Sequence, residues 1–290
     1  MNINWYPGHM AKTRRLMQEQ LKAVDMVIEV VDARIPLASR NPDFETLFAG
    51  KTRMIVLNKA DLAEEKANRQ WMERYALQGY FAIESVATNQ KARGRVLKVI
   101  DDTMRPRVQQ LLEKKGVHKT IRAMIVGIPN VGKSALINCL SQGGGARTGN
   151  RPGVTRGTQL IRVTPYLELM DTPGVLWPKL EVEAYARHLA FTGSIRDQVM
   201  DTYQLALALV AELNLRAPEA LKGRYKLESL AEDPQLVLQD ICRKRGWIAR
   251  GGIADEERGA GLILTEFRAG KLGRITLEWP QEQDDGRVDL

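Results

Sequence analysis

Cysteine is scarce in this sequence: only Cys139 and Cys242 occur among 290 residues. They lie far apart, and neither has a Cys or His neighbour at the spacing of metal ligands. The pattern argues against a zinc site and against a disulfide framework. It is typical of proteins from a reducing compartment.

Long apolar runs are also absent, since no stretch approaches the length needed to cross a membrane. The basic residues Lys12, Arg14 and Arg15 are not followed by an apolar core, so we expect no signal peptide. There is no internal repeat. We therefore expect a cytoplasmic protein without a membrane partner, and we expect it to be monomeric.

Basic residues outnumber acidic ones: 43 Lys and Arg against 35 Asp and Glu give a formal net charge of +8. This excess favours an anionic partner. Clustered basic residues suit contacts with RNA phosphates, although an ordinary solvated face can show the same runs. The clusters contain Lys91, Arg93, Arg95, Lys98, Arg105, Arg107, Lys114, Lys115, Lys119, Arg122, Arg243, Lys244, Arg245, Arg250, Arg268, Lys271 and Arg274.

The central motif is Gly127-Ile-Pro-Asn-Val-Gly-Lys133-Ser134, which follows an apolar, β-branched run and precedes a helix start. A strand, a Gly-rich turn and a helix form the context of a phosphate-binding loop. Backbone N–H groups and the helix N-terminus then point at one anion. We predict that Lys133 reaches the β- and γ-phosphates and that Ser134 ligates Mg²⁺. The other loop positions predicted to contact nucleotide are Asn130, Val131, Gly132 and Ala135.

A second motif, Asn58-Lys59-Ala60-Asp61, follows a predicted strand. Asp61 can accept hydrogen bonds from N1–H and the 2-amino group of guanine, and adenine offers neither. The stem of Lys59 can lie along the base. The motif is short enough to be a helix N-cap at Asp61, but beside a phosphate loop it favours guanine. The backbone N–H groups predicted to support the guanine oxygen belong to Ser85, Val86 and Ala87.

A third motif, Asp171-Thr-Pro-Gly174, follows another apolar strand. We predict that Asp171 holds Mg²⁺, directly or through water, and that the Gly174 N–H contacts the γ-phosphate. Thr155 lies in a segment without periodicity between the phosphate loop and Asp171, where a switch threonine would complete the Mg²⁺ shell. The alternative for this motif is an ordinary strand-to-loop turn.

Strand-like and helical patterns alternate as far as Asp171, which predicts an α/β fold with a mostly parallel sheet flanked by helices. Only helical patterns follow Trp177-Pro178. We predict a GTPase domain over residues 1–182, a smaller, all-helical RNA- or ribosome-binding domain over 183–280, and a polar tail over 281–290. Residues 93–115 predict one amphipathic helix or two helices separated at Pro106.

The order of the motifs is unusual, because the guanine motif and the serine turn precede the phosphate loop. A conventional GTPase has the reverse order, so this chain is predicted to be a circularly permuted P-loop GTPase. The permutation keeps every loop at the carboxyl end of the sheet, where α/β proteins bind ligands.

The order of the motifs resembles that of the ribosome biogenesis GTPase A family (YlqF/RbgA type). Three segments carry the same resemblance: Trp5-Tyr-Pro-Gly-His-Met-Ala-Lys12, Asp171-Thr-Pro-Gly-Val-Leu-Trp-Pro178 and Phe267-Arg-Ala-Gly-Lys-Leu-Gly-Arg-Ile-Thr276. The resemblance covers nearly the whole chain. It implies GTP-dependent late assembly of the large ribosomal subunit, with ribosomal RNA contacted by the helical C-terminal domain.

Many GTPases orient the attacking water with a Gln directly after Asp-x-x-Gly. Here Val175 and Leu176 follow, and neither can hydrogen-bond a water. The resemblance suggests His9 for this role, and a surface residue in an N-terminal turn is the alternative. We expect His118 and His188 to be structural or surface residues.

The resemblance also implies which cofactors the protein binds. Asn130 matches the loop Asn that coordinates K⁺ in related GTPases, so the expected ligands are GTP or GDP, Mg²⁺ and K⁺. Because the Asp171 loop leads directly into the helical domain, we expect GTP to order residues 143–156 and 172–180 and thereby to orient that domain.

Two other functions are compatible with these motifs. One is an RNA-binding scaffold in which GTP is a structural or regulatory ligand and hydrolysis is negligible, as the missing Gln would allow. The other is an ATP-using enzyme such as a kinase, against which Asp61 and the absence of a second substrate motif argue. Stimulation of GTP turnover by ribosomal subunits separates the assembly GTPase from the scaffold.

Overall fold

The computed structural model describes residues 15–116, 119–141, 159–172, 174, 183–195 and 201–281. Two predicted site residues, His9 and Thr155, lie outside these ranges. So do Val175, Leu176, residues 143–156 and nearly all of the predicted tail.

A six-stranded sheet forms the centre of the N-terminal part, with the strand order β3-β2-β1-β4-β6-β5. Five strands are parallel, and β5 runs antiparallel to β6. This mostly parallel sheet flanked by helices confirms the predicted fold class. The strands are β1 Met26–Asp32, β2 Thr52–Asn58, β3 Phe81–Ser85, β4 Ile121–Val126, β5 Gln159–Thr164 and β6 Leu167–Asp171.

The central strand β1 shows why the sheet forms. All seven of its residues are buried, in a nearly continuous β-branched run that is typical of a parallel strand covered on both faces. Its last residue, Asp32, is level with Asn58, and Asn58 is level with Ser85. Three polar side chains therefore meet at one edge of the sheet.

Ten helices lie within the described residues. In chain order they are α1 (described over 15–21), α2 Asp43–Leu47, α3 Glu65–Leu77, α4 Lys91–Lys115, α5 Lys133–Leu140, α6 Glu183–Phe191, α7 Thr202–Arg216, α8 Pro218–Tyr225, α9 Pro234–Arg245 and α10 Glu256–Arg268.

Helix α4 is a single helix, the first of the two predicted alternatives, because it continues through Pro106 without a break. Pro106 is exposed, whereas Val96, Ile100 and Met104 are buried. Burial of that apolar face outweighs the backbone hydrogen bond that the proline removes. Helix α8 was not predicted from the sequence.

Beyond the last helix, residues 272–280 return to the N-terminal part without forming a helix. The N–H of Ile275 donates to the carbonyl of Leu62, and that of Leu277 to the carbonyl of Arg34, both at 2.9 Å. The indole Nε1 of Trp71 donates to the carbonyl of Glu278 at 2.8 Å. We call residues 272–280 the return segment. The domain boundary at 182/183 stays a prediction.

The described helices include none that combines the length and the apolar character of a membrane span.

Candidate nucleotide-binding site

The phosphate loop, residues 127–132, links β4 to α5 in a conformation that requires glycine. Gly127 and Gly132 have φ angles of 151° and 98°. A Cβ on Gly127 would lie 2.5 Å from the carbonyl oxygen of Val30, and one on Gly132 would lie 2.2 Å from Nδ2 of Asn58. Such contacts are too short for any side chain. The loop is thereby packed against the ends of β1 and β2.

Lys133 is buried at the start of α5, and its Nζ donates to the carbonyl of Ile128 at 2.7 Å. Burial lowers the pKa of Lys133 to about 8, against the opposing charge of Asp171. A Cβ on Gly174 would lie 2.9 Å from this Nζ and 3.0 Å from the backbone nitrogen of Pro129. The structure therefore brings Gly174 against the phosphate loop, beside the lysine predicted to bind the γ-phosphate.

The predicted Mg²⁺ ligands lie at the ends of neighbouring elements. Asp171 ends β6, and the exposed Ser134 lies in the first turn of α5. Burial raises the pKa of Asp171, while Lys133 and a backbone hydrogen bond from Thr172 oppose the rise. Hydroxyl and carboxylate oxygens, completed by phosphate and water, are the hard ligands that Mg²⁺ prefers. The residues present thus fit Mg²⁺.

Asn58 joins the two halves of the site, a role that the sequence motif alone does not reveal. Its Nδ2 donates to the carbonyl of Val131 in the phosphate loop at 2.8 Å. Its Oδ1 accepts the N–H of Ala87 at 3.1 Å. Of the three N–H groups predicted to support the guanine oxygen, that of Ala87 is therefore used to hold Asn58.

Asp61 is exposed at the predicted base position. Helix α3 begins at Glu65 with Glu64 at its N-cap, so the interpretation of Asp61 as the N-cap is wrong. The N–H of Ala60 donates to the carbonyl of Ser85 at 3.1 Å, which ties this motif to the serine turn. The Oγ of Ser85 is buried, and it has no hydrogen-bond partner among the described residues.

Lys59 adopts a left-handed conformation with a φ of 59°, and its Nζ lies 2.9 Å from Oδ2 of Asp32. Arg34 binds the same carboxylate, with 2.8 Å between Nη2 and Oδ2. Sequence reasoning assigned no function to Asp32 or Arg34. A signal for them was present in the sequence, because they lie at or just after the end of a buried strand. The predicted site residues Asn58 and Asp171 also end strands.

Asn130, the predicted K⁺ ligand, is exposed and has a φ of 61°. Its Nδ2 donates to the carbonyl of Gly193, just beyond α6, at 2.7 Å. Arg268 of α10 binds the same end of α6, since its guanidinium donates to the carbonyls of Phe191 at 3.0 Å and Ala190 at 2.7 Å. The phosphate loop is therefore in contact with the helical part of the chain.

Several of the basic residues predicted to contact RNA make ion pairs within the chain. Arg105 pairs with Asp101 and Asp102, and Arg122 pairs with Glu168. These pairs are exposed, so they contribute little stability and leave the charges accessible.

Trp247 is a core residue. It packs edge-on against Tyr225 at a centroid distance of 6.4 Å, and the guanidinium of Arg245 lies 5.7 Å from its ring centroid.

The site combines a phosphate loop after β4, an Asp-x-x-Gly motif after β6, an Asn-Lys-x-Asp motif after β2 and a serine turn after β3. All lie at the carboxyl edge of one sheet, with the guanine-type motif first in the chain. This arrangement defines a circularly permuted P-loop GTPase.

Comparison with known proteins gives the particular family. A family model described as 50S ribosome-binding GTPase matches residues 122–238, which begin in β4. Ribosome biogenesis GTPase A of Bacillus cereus is 43% identical, with 97% of this chain and 95% of the relative covered. The chain therefore belongs to the ribosome biogenesis GTPase A family.

Solved structures of YlqF support the same assignment. A GDP-bound YlqF has a TM-score of 0.64 at 29% identity, with 92% of this chain and 100% of that chain covered. A GNP-bound YlqF from Thermotoga maritima has a TM-score of 0.62 at 30% identity, with 93% and 99% covered.

Proposed function

We propose that this protein binds and hydrolyses GTP during late maturation of the large ribosomal subunit, contacts ribosomal RNA, and leaves after hydrolysis. One observation carries the nucleotide part: the two ends of the Asn58 carboxamide join the phosphate loop to the guanine-type turn. The ribosomal part is supported by relatives named ribosome biogenesis GTPase A. It is also supported by those named mitochondrial ribosome-associated GTPase 1.

In this proposal, Lys133 and the backbone of the phosphate loop bind the β- and γ-phosphates. Ser134, Asp171 and Thr155 ligate Mg²⁺, and the N–H of Gly174 binds the γ-phosphate. Asp61 accepts the two guanine N–H groups, and Lys59 lies along the base. Mg²⁺, when bound, would supply positive charge that stabilises the phosphates.

His9 is proposed to orient the attacking water, as the resemblance to the family suggests. Val175 and Leu176, which follow Asp-x-x-Gly, cannot hydrogen-bond a water. Asn130 is proposed to bind a K⁺ ion that offsets charge developing on the phosphates. Turnover should then be faster in K⁺ than in Na⁺ buffer. Equal turnover in the two buffers would contradict the K⁺ assignment.

The partners are proposed to be the large subunit and its RNA, with residues 183–280 and their basic clusters making the RNA contacts. The protein is proposed to act as a cytoplasmic monomer. The alternative, an RNA-binding scaffold with negligible hydrolysis, is favoured only by the missing Gln.

The test is GTP hydrolysis with and without purified large ribosomal subunits. We expect subunits to stimulate the wild type, and His9→Ala to lower turnover by about 10²-fold or more while GDP affinity is retained. His118→Ala is the matched control, since His118 has no proposed role. If subunits leave turnover unchanged, the ribosome is not the activator and the scaffold function is preferred.

A further inference from the structure

The carboxylate of Asp32 is completely buried at the end of β1 and is saturated with donors. Oδ1 accepts the Nε of Arg34 at 2.9 Å and its backbone N–H at 3.1 Å. Oδ2 accepts Nη2 of Arg34 at 2.8 Å and Nζ of Lys59 at 2.9 Å. Two cations thus share one carboxylate, a geometry that orients both.

Lys59 is the residue predicted to lie along the base, and its side chain remains 25% exposed while its ammonium is bound to Asp32. A free lysine side chain loses rotamer entropy when it is ordered. Because Asp32 fixes the end of this side chain before nucleotide binds, that cost falls on folding rather than on binding.

Arg34 is itself held by the C-terminal part of the chain. Its carbonyl accepts the N–H of Leu277 at 2.9 Å. Its guanidinium lies 5.4 Å from the ring centroid of Phe267 in α10, and its Nη1 is 3.5 Å from the carbonyl of the same residue. The cluster beneath Lys59 is therefore closed by α10 and the return segment.

We propose that Asp32 is a positioning residue for guanine recognition, which holds Lys59 across the base and is itself supported through Arg34 by Phe267. The helical part of the chain thereby supports the guanine end of the site, in addition to making the proposed contacts with RNA. This inference rests on the proposed function, because it takes Lys59 to contact the base.

The charge state of Asp32 agrees with this role. Burial alone would raise the pKa of Asp32, but Arg34 and then Lys59 outweigh it and hold the pKa well below its usual range. The carboxylate is therefore ionised at every pH at which the protein works, and its hold on Lys59 is constant.

A purely structural role for Asp32 is the competing explanation, and β1 contains a matched control. Glu29 is equally buried on the same strand, and its Oε2 binds Arg40 at 3.2 Å and Arg53 at 3.1 Å. Glu29→Gln thus removes a buried two-cation carboxylate that makes no contact with Lys59. Both substitutions should lower stability, but only Asp32→Asn should weaken nucleotide binding.

The experiment is a double-mutant cycle on the full chain, with GDP affinity measured calorimetrically in the presence of Mg²⁺ well below the melting temperature. We expect Asp32→Asn and Lys59→Met each to weaken GDP binding by about tenfold, and the double variant to bind no more weakly than Lys59→Met. Glu29→Gln should stay within about twofold of wild type.

Full GDP affinity of Asp32→Asn, or losses that multiply in the double variant, would overturn the inference and leave the proposed function standing. Full affinity of Lys59→Met would instead show that Lys59 does not contact the base, which overturns this inference while the other parts of the proposed function stand.

If Asp32→Asn does not fold, Phe267→Leu tests the same support from α10. It should weaken GDP binding several-fold in the wild-type background and not at all in Lys59→Met. Phe48→Leu, at a buried phenylalanine outside the helical part, is its control. Equal GDP affinities of Phe267→Leu and Phe48→Leu would contradict the proposed support.

Discussion

Single side chains in this site are oriented by partners within the protein before any ligand is bound. Asn58 uses both ends of its carboxamide, Lys133 donates to the carbonyl of Ile128, and Lys59 is bound to Asp32. Asp61 is exposed at the predicted base position, as a residue that reads the base must be.

Asp61→Asn provides the residue-scale prediction. An amide keeps one acceptor for N1–H but presents an N–H to the 2-amino group of guanine. Xanthine has an oxygen at that position and accepts this N–H. We expect GDP affinity to fall by about 100-fold and XDP to become the tighter ligand.

Competition between these nucleotides and a fluorescent GDP analogue measures the exchange of specificity. Asp101→Asn, at an exposed carboxylate on α4, should leave both affinities unchanged. A variant of Asp61 that still prefers GDP over XDP would contradict the assignment of the base position.

The motif residues of the site could be named from sequence because each motif is contiguous and follows a strand. The contacts between different motifs could not be predicted from the sequence. Lys59 meets Asp32 across 27 residues because β1 and β2 pair in register, and Asn130 meets Gly193 across 63 residues. No local pattern encodes such distances, since they depend on how the strands and helices pack.

At the scale of elements, α4 contains a proline, which is unfavourable inside a helix, at an exposed position where its replacement should lose no packing contacts. Pro106 lies inside the helix, is exposed and donates no backbone hydrogen bond. We expect Pro106→Ala to raise the free energy of unfolding by about 1–3 kcal/mol, as measured by urea denaturation. Gln109→Ala on the same helix should change it by less than about 0.5 kcal/mol. A destabilised Pro106→Ala would show that the ring makes contacts that outweigh the lost hydrogen bond.

Elements with long apolar patterns are the clearest to predict from sequence. Strand β1 is buried over its whole length, and α10 buries one clear face. Helix α8 was not predicted because only two of its eight residues, Leu221 and Tyr225, are buried. Two apolar positions are too few to establish a helical period. The return segment has no period at all, and its position depends on partners more than 200 residues away.

At the scale of the whole molecule, Glu278 connects three distant parts of the chain. Its Oε2 accepts the N–H groups of Leu37 at 2.6 Å and Ala38 at 3.2 Å. Its Oε1 lies 2.8 Å from Nδ1 of His188 in α6, and Nε2 of the same ring is 3.8 Å from Glu212. Burial alone would lower the pKa of His188, but these two carboxylates outweigh it and raise the pKa to about 9.

This buried charge predicts a pH dependence of stability. A folded-state pKa of about 9, above an unfolded value of 6.5, gives stabilisation that is fully present below pH 6.5 and is lost as pH rises through 9. We expect the difference in unfolding free energy between wild type and His188→Gln to shrink by about 3 kcal/mol over this range. Other titrating groups, Lys133 among them, cancel in this difference.

The comparison requires urea denaturation of both proteins at several pH values between 6 and 9.5. His118→Gln should follow the wild type throughout. A pH-independent difference between wild type and His188→Gln would show that the pKa of His188 is not raised in the folded state.

The return segment also determines when the site is completed during synthesis. The guanine end comes from the first 87 residues, the phosphate loop follows some 40 residues later, and the backbone partner of Trp71 lies 207 residues downstream. A chain growing from its N-terminus therefore presents the guanine-recognition residues before the phosphate loop, and the contact between Trp71 and residue 278 forms only after both. Contacts so distant in sequence form late and slowly. The permuted order of the motifs therefore becomes the order in which the parts of the site are synthesised.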